Sequence, residues 1–361
     1  MTVKKPKIYF ITAAPLGVSP SQRFRFEHYL PYLDAEGYRY KVSPYLSMHN
    51  RDVLYKSPSV MKKVMAVIRG YTRRIRDIFR VIPYDYVYIH REATPVGPPI
   101  FEWIFAKLLR KKIIYDFDDA IWVPTMSEHN RKFRFARSFS KIGKICKWST
   151  IVTVGNKFLA SYAGKFNDDV RVIPTVVNTR TVHGSLQNQD TDKPQVGWTG
   201  SFTTLVYLNT VLPVLQRLQE KYDFTFYVIA DRDPQLPLKN YEFVPWRRET
   251  ESEDLLRFHI GLMPLTDDEI SRGKCGFKAI QYMAMGIPPV VSPVGVNTEI
   301  VEDGVNGFIC DKEKEWEDAL TRLLTDKALR IRIGAEARNK IESAYSVTST
   351  SELFLKNFAG K

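Results

Sequence analysis

The stretch Arg272-Gly-Lys-Cys-Gly-Phe-Lys-Ala-Ile-Gln-Tyr-Met-Ala-Met-Gly-Ile-Pro-Pro-Val-Val-Ser-Pro-Val-Gly-Val-Asn-Thr-Glu-Ile-Val-Glu-Asp-Gly-Val-Asn-Gly-Phe308 carries the densest information in the chain. Gly273 and Gly276 open a helix, and Lys274 and Lys278 fall in or just before its first turn. Cations sit badly at a helix N-terminus, which prefers negative charge. The conflict resolves if an anion docks on the free N–H groups and the lysines add to it, with phosphate as the obvious anion. Lys278, Gln281 and Tyr282 are spaced i, i+3 and i+4 and share one helix face. A turn glycine beside two solvated lysines is the plainer reading of any one residue. The combination favours an anion site.

Short apolar runs alternate with amphipathic stretches along the whole chain. Strands are expected at 7–12, 38–43, 86–90, 112–116, 151–154 and 170–173, with a helix over 22–36 between the first two. Residues 179–194 are polar and aperiodic and read as a linker. The alternation then restarts: strands at 195–198, 224–229, 241–244, 260–263, 288–292 and 307–309, and helices at 203–221, 251–258, 276–285, 313–325 and 327–343. This pattern predicts an α/β protein of two Rossmann-like domains around a central cleft, with ligands at the carboxyl ends of parallel strands. The expected division is 1–180, a linker at 181–194, a second domain at 195–342, and a C-terminal helix at 343–361 returning to the first.

Composition narrows the class. The chain has 361 residues, 53 Lys plus Arg and 40 Asp plus Glu, hence a net charge of +13. Residues 1–180 hold 32 basic and 14 acidic residues, against 21 and 26 in residues 181–361, so the basic excess lies in the first half. Three widely spaced cysteines give neither a disulfide framework nor a metal knuckle, and a cytoplasmic setting is expected. The opening run KIYFIT reads as a buried strand and is too short for a signal sequence. No nucleic-acid-binding signature accompanies the positive charge, so no nucleic-acid partner is expected. No GxGxxG follows a strand, which argues against a dehydrogenase.

Other candidate chemistry sits at strand ends. Gly200 and Ser201 end the run Val196-Gly-Trp-Thr and form a weak phosphate-loop signal. The loop after the first strand carries Gly17, Ser19, Pro20 and Ser21, followed by Arg23 and Arg25. Asp116, Asp118 and Asp119 end a buried strand, and His90-Arg91-Glu92 ends its neighbour. Such carboxylates accept hydrogen bonds from sugar hydroxyls. They also suggest a divalent metal, but consecutive aspartates seldom converge, and no metal is expected. For Asp116 the competing reading is a buried carboxylate that ties loops together. Two segments, 61–80 and 131–147, each hold seven basic residues among apolar ones. Basic amphipathic helices of this kind suit an anionic membrane surface.

The combined pattern resembles the GT-B-fold retaining glycosyltransferases, specifically glycosyltransferase family 4 (glycosyl transferases group 1), over nearly the whole chain. Gln281-Tyr-Met-Ala-Met-Gly-Ile-Pro-Pro-Val-Val-Ser292 is similar to the family's Glu-Ala-Met-Ala-x-Gly-x-Pro-Val helix and strand. Gly295, Thr298-Glu299-Ile-Val and Asp303-Gly-Val-Asn-Gly-Phe308 follow in register. Residues 173–178 and 152–156 resemble the end of the family's first domain. The family's Glu-x7-Glu carboxylates fall on Gly273 and Gln281, marking a subgroup without them. The usual basic pair of the second domain's first loop is also missing around Gly197, Trp198 and Val206.

The resemblance implies hexosyl transfer from a nucleotide diphosphate-sugar to a glycan or lipid-linked acceptor, with retention and without metal or other cofactor. By position, Gly200, Ser201, Lys274 and Lys278 would hold the diphosphate. Gln281 would reach the ribose, Gly273 to Gly276 would face the sugar, and Glu299 would support the nucleotide loop. Asp118 or His90 would stand beside the reacting sugar as catalytic groups. Gly17, Arg23, Arg25 and Asp119 would line the acceptor side. An enzyme of polysaccharide or cell-envelope glycan synthesis at the inner face of the cytoplasmic membrane is expected. The alternative is a non-catalytic nucleotide-sugar-binding partner of a glycan assembly system.

Overall fold

The structure, a computed structural model, describes residues 5–124 and 139–359. The chain divides into two compact units, residues 1–174 with 351–361, and residues 175–350. Residues 131–138 of the second basic segment lie outside the described residues.

The first unit is built on six parallel strands: β1 (Lys7–Thr12), β2 (Arg39–Pro44), β3 (Tyr86–His90), β4 (Lys112–Phe117), β5 (Ile151–Val154) and β6 (Val170–Val172). Their spatial order is β2-β1-β3-β4-β5-β6. Inner strands such as β3 and β5 are buried throughout, as expected for a parallel sheet covered by helices on both faces. The strand order reverses between β1 and β3, which opens a crevice at their carboxyl ends. The expected helix over 22–36 is broken into Pro20–Arg25, a short 3-10 turn Glu27–Tyr29, and Leu30–Ala35. Pro31 supplies the break, because it lacks the N–H that a continuous helix needs. The returning C-terminal segment packs in this unit through Phe354, stacked on Tyr29 at 4.3 Å between ring centroids.

The second unit has its own six parallel strands: β7 (Val196–Thr199), β8 (Phe226–Ala230), β9 (Tyr241–Pro245), β10 (Ile260–Met263), β11 (Pro289–Val291) and β12 (Phe308–Ile309). The order is β12-β11-β10-β7-β8-β9, so the reversal lies between β7 and β10. The core joins Val196, Trp198, Leu215, Phe226, Val228, Leu262, Val290 and Leu320. Residues 203–221 do not form one helix: a 3-10 segment Phe202–Thr210 precedes the α-helix Leu212–Lys221, with Pro213 in that helix's first turn.

Residues 179–194 fold with this second unit, and the unit boundary falls at Pro174/Thr175. The side-chain amides of Gln187 and Gln189 donate to the carbonyls of Phe258, His259 and Gly286. The polarity of the segment therefore serves backbone carbonyls as well as water.

Candidate functional site

In the second unit the strand reversal brings the ends of β7 and β10 together, and Tyr282 pins them. Its hydroxyl accepts from the Thr199 backbone N–H at 3.0 Å and lies 3.3 Å from the Leu262 carbonyl, to which it donates. Gly261 makes this possible, since a Cβ there would lie 2.4 Å from the Tyr282 ring. Burial pushes the Tyr282 phenol well above its ordinary value, so it stays neutral.

Tyr282 belongs to the helix Phe277–Ala284, whose N-terminus opens on Gly276 at φ +68°. A side chain at Gly276 would be strained by that φ and would meet Ile300 Cδ1 at 2.1 Å. No side chain caps this helix, and its first turn carries no acid. Its first N–H groups are the donors an anion takes. Around them stand the two lysines. Lys278 Nζ lies 5.5 Å from the centre of the Trp198 ring on β7, and Lys274 Nζ lies 5.6 Å from that of Tyr207. Tyr207 is itself held by a 3.2 Å hydrogen bond with Ser271. The aromatic faces hold both ammonium groups near the end of β7, where Gly200 and Ser201 follow.

One residue expected here, Gln281, is placed differently. Gln281 is buried, donates to Glu251 Oε1 at 3.3 Å and lies 3.4 Å from His183 Nε2. The shared face expected for Lys278, Gln281 and Tyr282 is thus divided, with only the outer two turned to β7. Glu299 is exposed on the short helix Asn297–Ile300. Gly273 caps the end of the preceding helix Glu269–Arg272. Trp198 and Tyr207 escaped the sequence reading because nothing local links them to the lysines.

The first unit's crevice has a different character. His90 ends β3, with Nδ1 2.9 Å from Asp116 Oδ2 and Nε2 2.9 Å from Ser21 Oγ. Ser21 Oγ also donates to Asp118 Oδ1 at 2.8 Å. Asp116 further accepts from Thr153 Oγ1 at 2.8 Å and forms a buried ion pair with Arg25. Burial alone would raise the Asp116 carboxyl, but the Arg25 guanidinium and the His90 ring outweigh it and hold the group well below the usual carboxylate range. Burial opposes Arg91 in the same way at Asp118, whose carboxyl is also held low. Asp116 is a buried carboxylate that ties β4 to β3, β5 and the first helix.

Because Asp116 is ionised, Nδ1 of His90 carries a hydrogen and donates to it. Ser21 has one hydroxyl hydrogen and two acceptors in reach, His90 Nε2 and Asp118. The Ser21 hydroxyl thus links His90 and Asp118 in one hydrogen-bonded chain. Arg91, at φ +61°, is the strained residue of the crevice. Its N–H donates to the Asp116 carbonyl at 2.7 Å, and its guanidinium holds Asp118 at 2.8 Å and Asp119 at 2.7 Å.

The basic residues expected on the acceptor side turn inward. Arg25 is fully buried and spends its donors on Asp116 and the Ile173 carbonyl, so it braces the crevice and does not present itself to an acceptor. Arg23 is also buried, its guanidinium 4.8 Å from the centre of the Phe24 ring. Gly17, at φ +79°, donates its N–H to Glu27 Oε2 at 2.7 Å and shapes the loop after β1. Asp118 and Asp119 are drawn to Arg91 while Asp116 is drawn to Arg25. Among the described residues, no cluster of three metal-ligating side chains occurs.

The family model "Glycosyl transferases group 1" matches residues 193–326, a span that contains the whole β7/β10 site. A stretch of 78 residues is 31% identical to spore coat protein SA of Bacillus subtilis (strain 168), and the match spans about a fifth (21%) of that relative's length. Over 99% of the chain the fold matches all of a sucrose-phosphate synthase from Thermosynechococcus elongatus, with TM-score 0.69 and 14% identity. A glycosyltransferase from Rickettsia africae gives 0.67 at 14% identity, covering 99% of this chain and 98% of that one. HepE of Anabaena, solved with UDP-glucose, gives 0.66 at 14% identity, covering 98% and 99%. The chain has the GT-B fold, two parallel-sheet α/β domains, and its second unit carries a segment of the group 1 glycosyl transferase pattern.

Proposed function

We propose that this protein is a metal-independent, retaining glycosyltransferase that moves a sugar from a nucleotide diphosphate-sugar to a glycan or lipid-linked acceptor. The observation that carries the reading is the β7/β10 site: an uncapped helix N-terminus at Gly276, flanked by Lys274 and Lys278 over aromatic rings. The diphosphate gains charge as the glycosidic bond breaks. Fixed ammonium groups and N–H donors aimed at it lower that barrier. Gly200 and Ser201 shape the floor beneath it. His90 and Asp118, joined through Ser21, are the groups that accept or return a proton during transfer. A cytoplasmic role in polysaccharide or envelope glycan synthesis fits the lipid-linked or glycan acceptor.

The test is transfer itself. The protein is incubated with UDP-, GDP- and ADP-sugars, led by UDP-glucose because the HepE structure holds it, and any product's anomeric configuration is read by NMR. A product of inverted configuration, or no shift of the protein's thermal unfolding with any nucleotide sugar, would overturn the proposal. A second reading, a nucleotide-sugar binder without turnover, is favoured by Gly273 and Gln281 standing where the resembled family has two glutamates. Binding without hydrolysis or transfer to any acceptor would select it.

A further inference from the structure

The helix Val60–Arg80 of the first unit has three faces. On a wheel of about 100° per residue, Val60, Met61, Val64, Ile68, Ile75 and Phe79 fall within an arc of about 100°. These six side chains are 50–76% exposed. Lys62, Arg69, Arg76 and Arg80 fall on a neighbouring arc of about 40° and are exposed as well. Ala66, Gly70, Arg74 and Asp77 form the buried third face. Asp77 is the helix's one acid, and it is turned inward onto Arg74 at 2.8 Å. Apart from Thr72, whose hydroxyl donates to the Ile68 carbonyl at 3.0 Å, the exposed two-thirds therefore presents apolar and positive side chains and no acid.

The apolar arc continues onto a neighbouring segment. The Tyr71 hydroxyl donates to the Val96 carbonyl at 2.6 Å, and its ring meets Phe101 at 6.1 Å. Beside Phe101 the side chains of Ile100 and Trp103 are also about half exposed, at 53% and 46%. The second basic stretch behaves differently where it is described. In the helix Lys141–Trp148, Lys141 is buried against Glu92 and Ile142, Ile145 and Cys146 pack inward, so that helix is core.

We infer that the Val60–Arg80 helix is a docking face for an anionic lipid bilayer, lying in the interface with its apolar arc among the acyl chains and its basic arc at the headgroups. The occupant follows from charge and shape. A second copy of this face would bring like charges together, and a nucleic acid would leave the apolar arc in water. An anionic membrane satisfies both arcs at once. Trp103 suits the headgroup level, where an amphipathic ring is favoured. The inference rests on this helix and the adjoining Ile100 and Trp103, and holds whatever reaction the protein performs. Among the described residues no helix is long and apolar enough to cross a membrane, and docking here requires none.

The test is co-sedimentation of the full chain with vesicles of phosphatidylcholine alone, or with about one-third phosphatidylglycerol. Binding is expected only to the anionic vesicles. Lys62→Gln, Arg76→Gln and Arg80→Gln together should weaken it about 100-fold, each cation contributing roughly fivefold. Ile75→Ser with Phe79→Ser should weaken it by at least tenfold with all charges kept. All these residues are exposed, so unchanged thermal unfolding of the variants is the control. Absent binding to anionic vesicles, equal binding to both compositions, or binding untouched by either variant set would overturn the inference.

Discussion

The two units share a plan and differ in chemistry. Each is a six-stranded parallel sheet whose strand order reverses once, between β1 and β3 in one and between β7 and β10 in the other. At the first reversal Arg25, Asp116, His90, Ser21 and Asp118 are joined by buried ion pairs and hydrogen bonds. At the second a tyrosine hydroxyl and glycines form the floor, and the cations lie over aromatic rings. The topology is the same; the residue types at the two reversals differ, a charged network in one and aromatic rings with lysines in the other.

Removing the charge that organises the first crevice should have the largest effect. Asp116→Ala leaves Arg25 buried without its carboxylate and should cost about 3–5 kcal/mol in a denaturant titration. A loss below 1 kcal/mol would mean that the network does not hold this unit together. His90→Ala separates catalysis from binding. If the units divide the work as proposed, turnover falls by about 100-fold or more while the KM for the donor stays within a few-fold.

Acid should distinguish the groups by range. His28 and His259 are neutral when folded, chiefly because burial lowers each from about 6.5 to about 4, with Arg23 and Arg330 adding to the effect. Their folded values lie below the unfolded ones, so stability is full above about pH 6.5 and lost as the pH falls toward 4. Asp116 and Asp118, also held low, extend the loss below about pH 4. Melting temperature against pH should show both stages, and His28→Phe should remove about 2 kcal/mol of the first. The smallest effect belongs to the second crevice: Tyr282→Phe orphans the Thr199 N–H and should cost about 1–2 kcal/mol.

Much of the fold was legible in the sequence, because buried parallel strands leave continuous apolar runs such as Tyr86–His90 and Ile260–Met263. Helix continuity was read less well, since the apolar period runs on past Pro31 and Pro213 while the backbone hydrogen bonding does not. The segment 179–194 looks like a linker because it is polar and aperiodic, whereas the amide of its Gln189 serves the His259 and Gly286 carbonyls. At the candidate sites, Lys274, Lys278, His90 and Asp118 stood out by type and position. Their partners did not. Trp198 and Ser21 meet them only after strands far apart in sequence are laid side by side. Arg25 was misplaced for a related reason: its buried carboxylate partner is 91 residues away.

The central claim is that the β7/β10 crevice binds a nucleotide diphosphate through Lys274 and Lys278. Calorimetric titration of the wild type and of Lys274→Ala with Lys278→Ala, using UDP, GDP and ADP, tests it directly. At least one nucleotide should bind the wild type, and the double variant should bind it about 100-fold or more weakly, each charge-assisted contact contributing roughly 1.5–3 kcal/mol. Equal affinity in the two proteins would contradict the account.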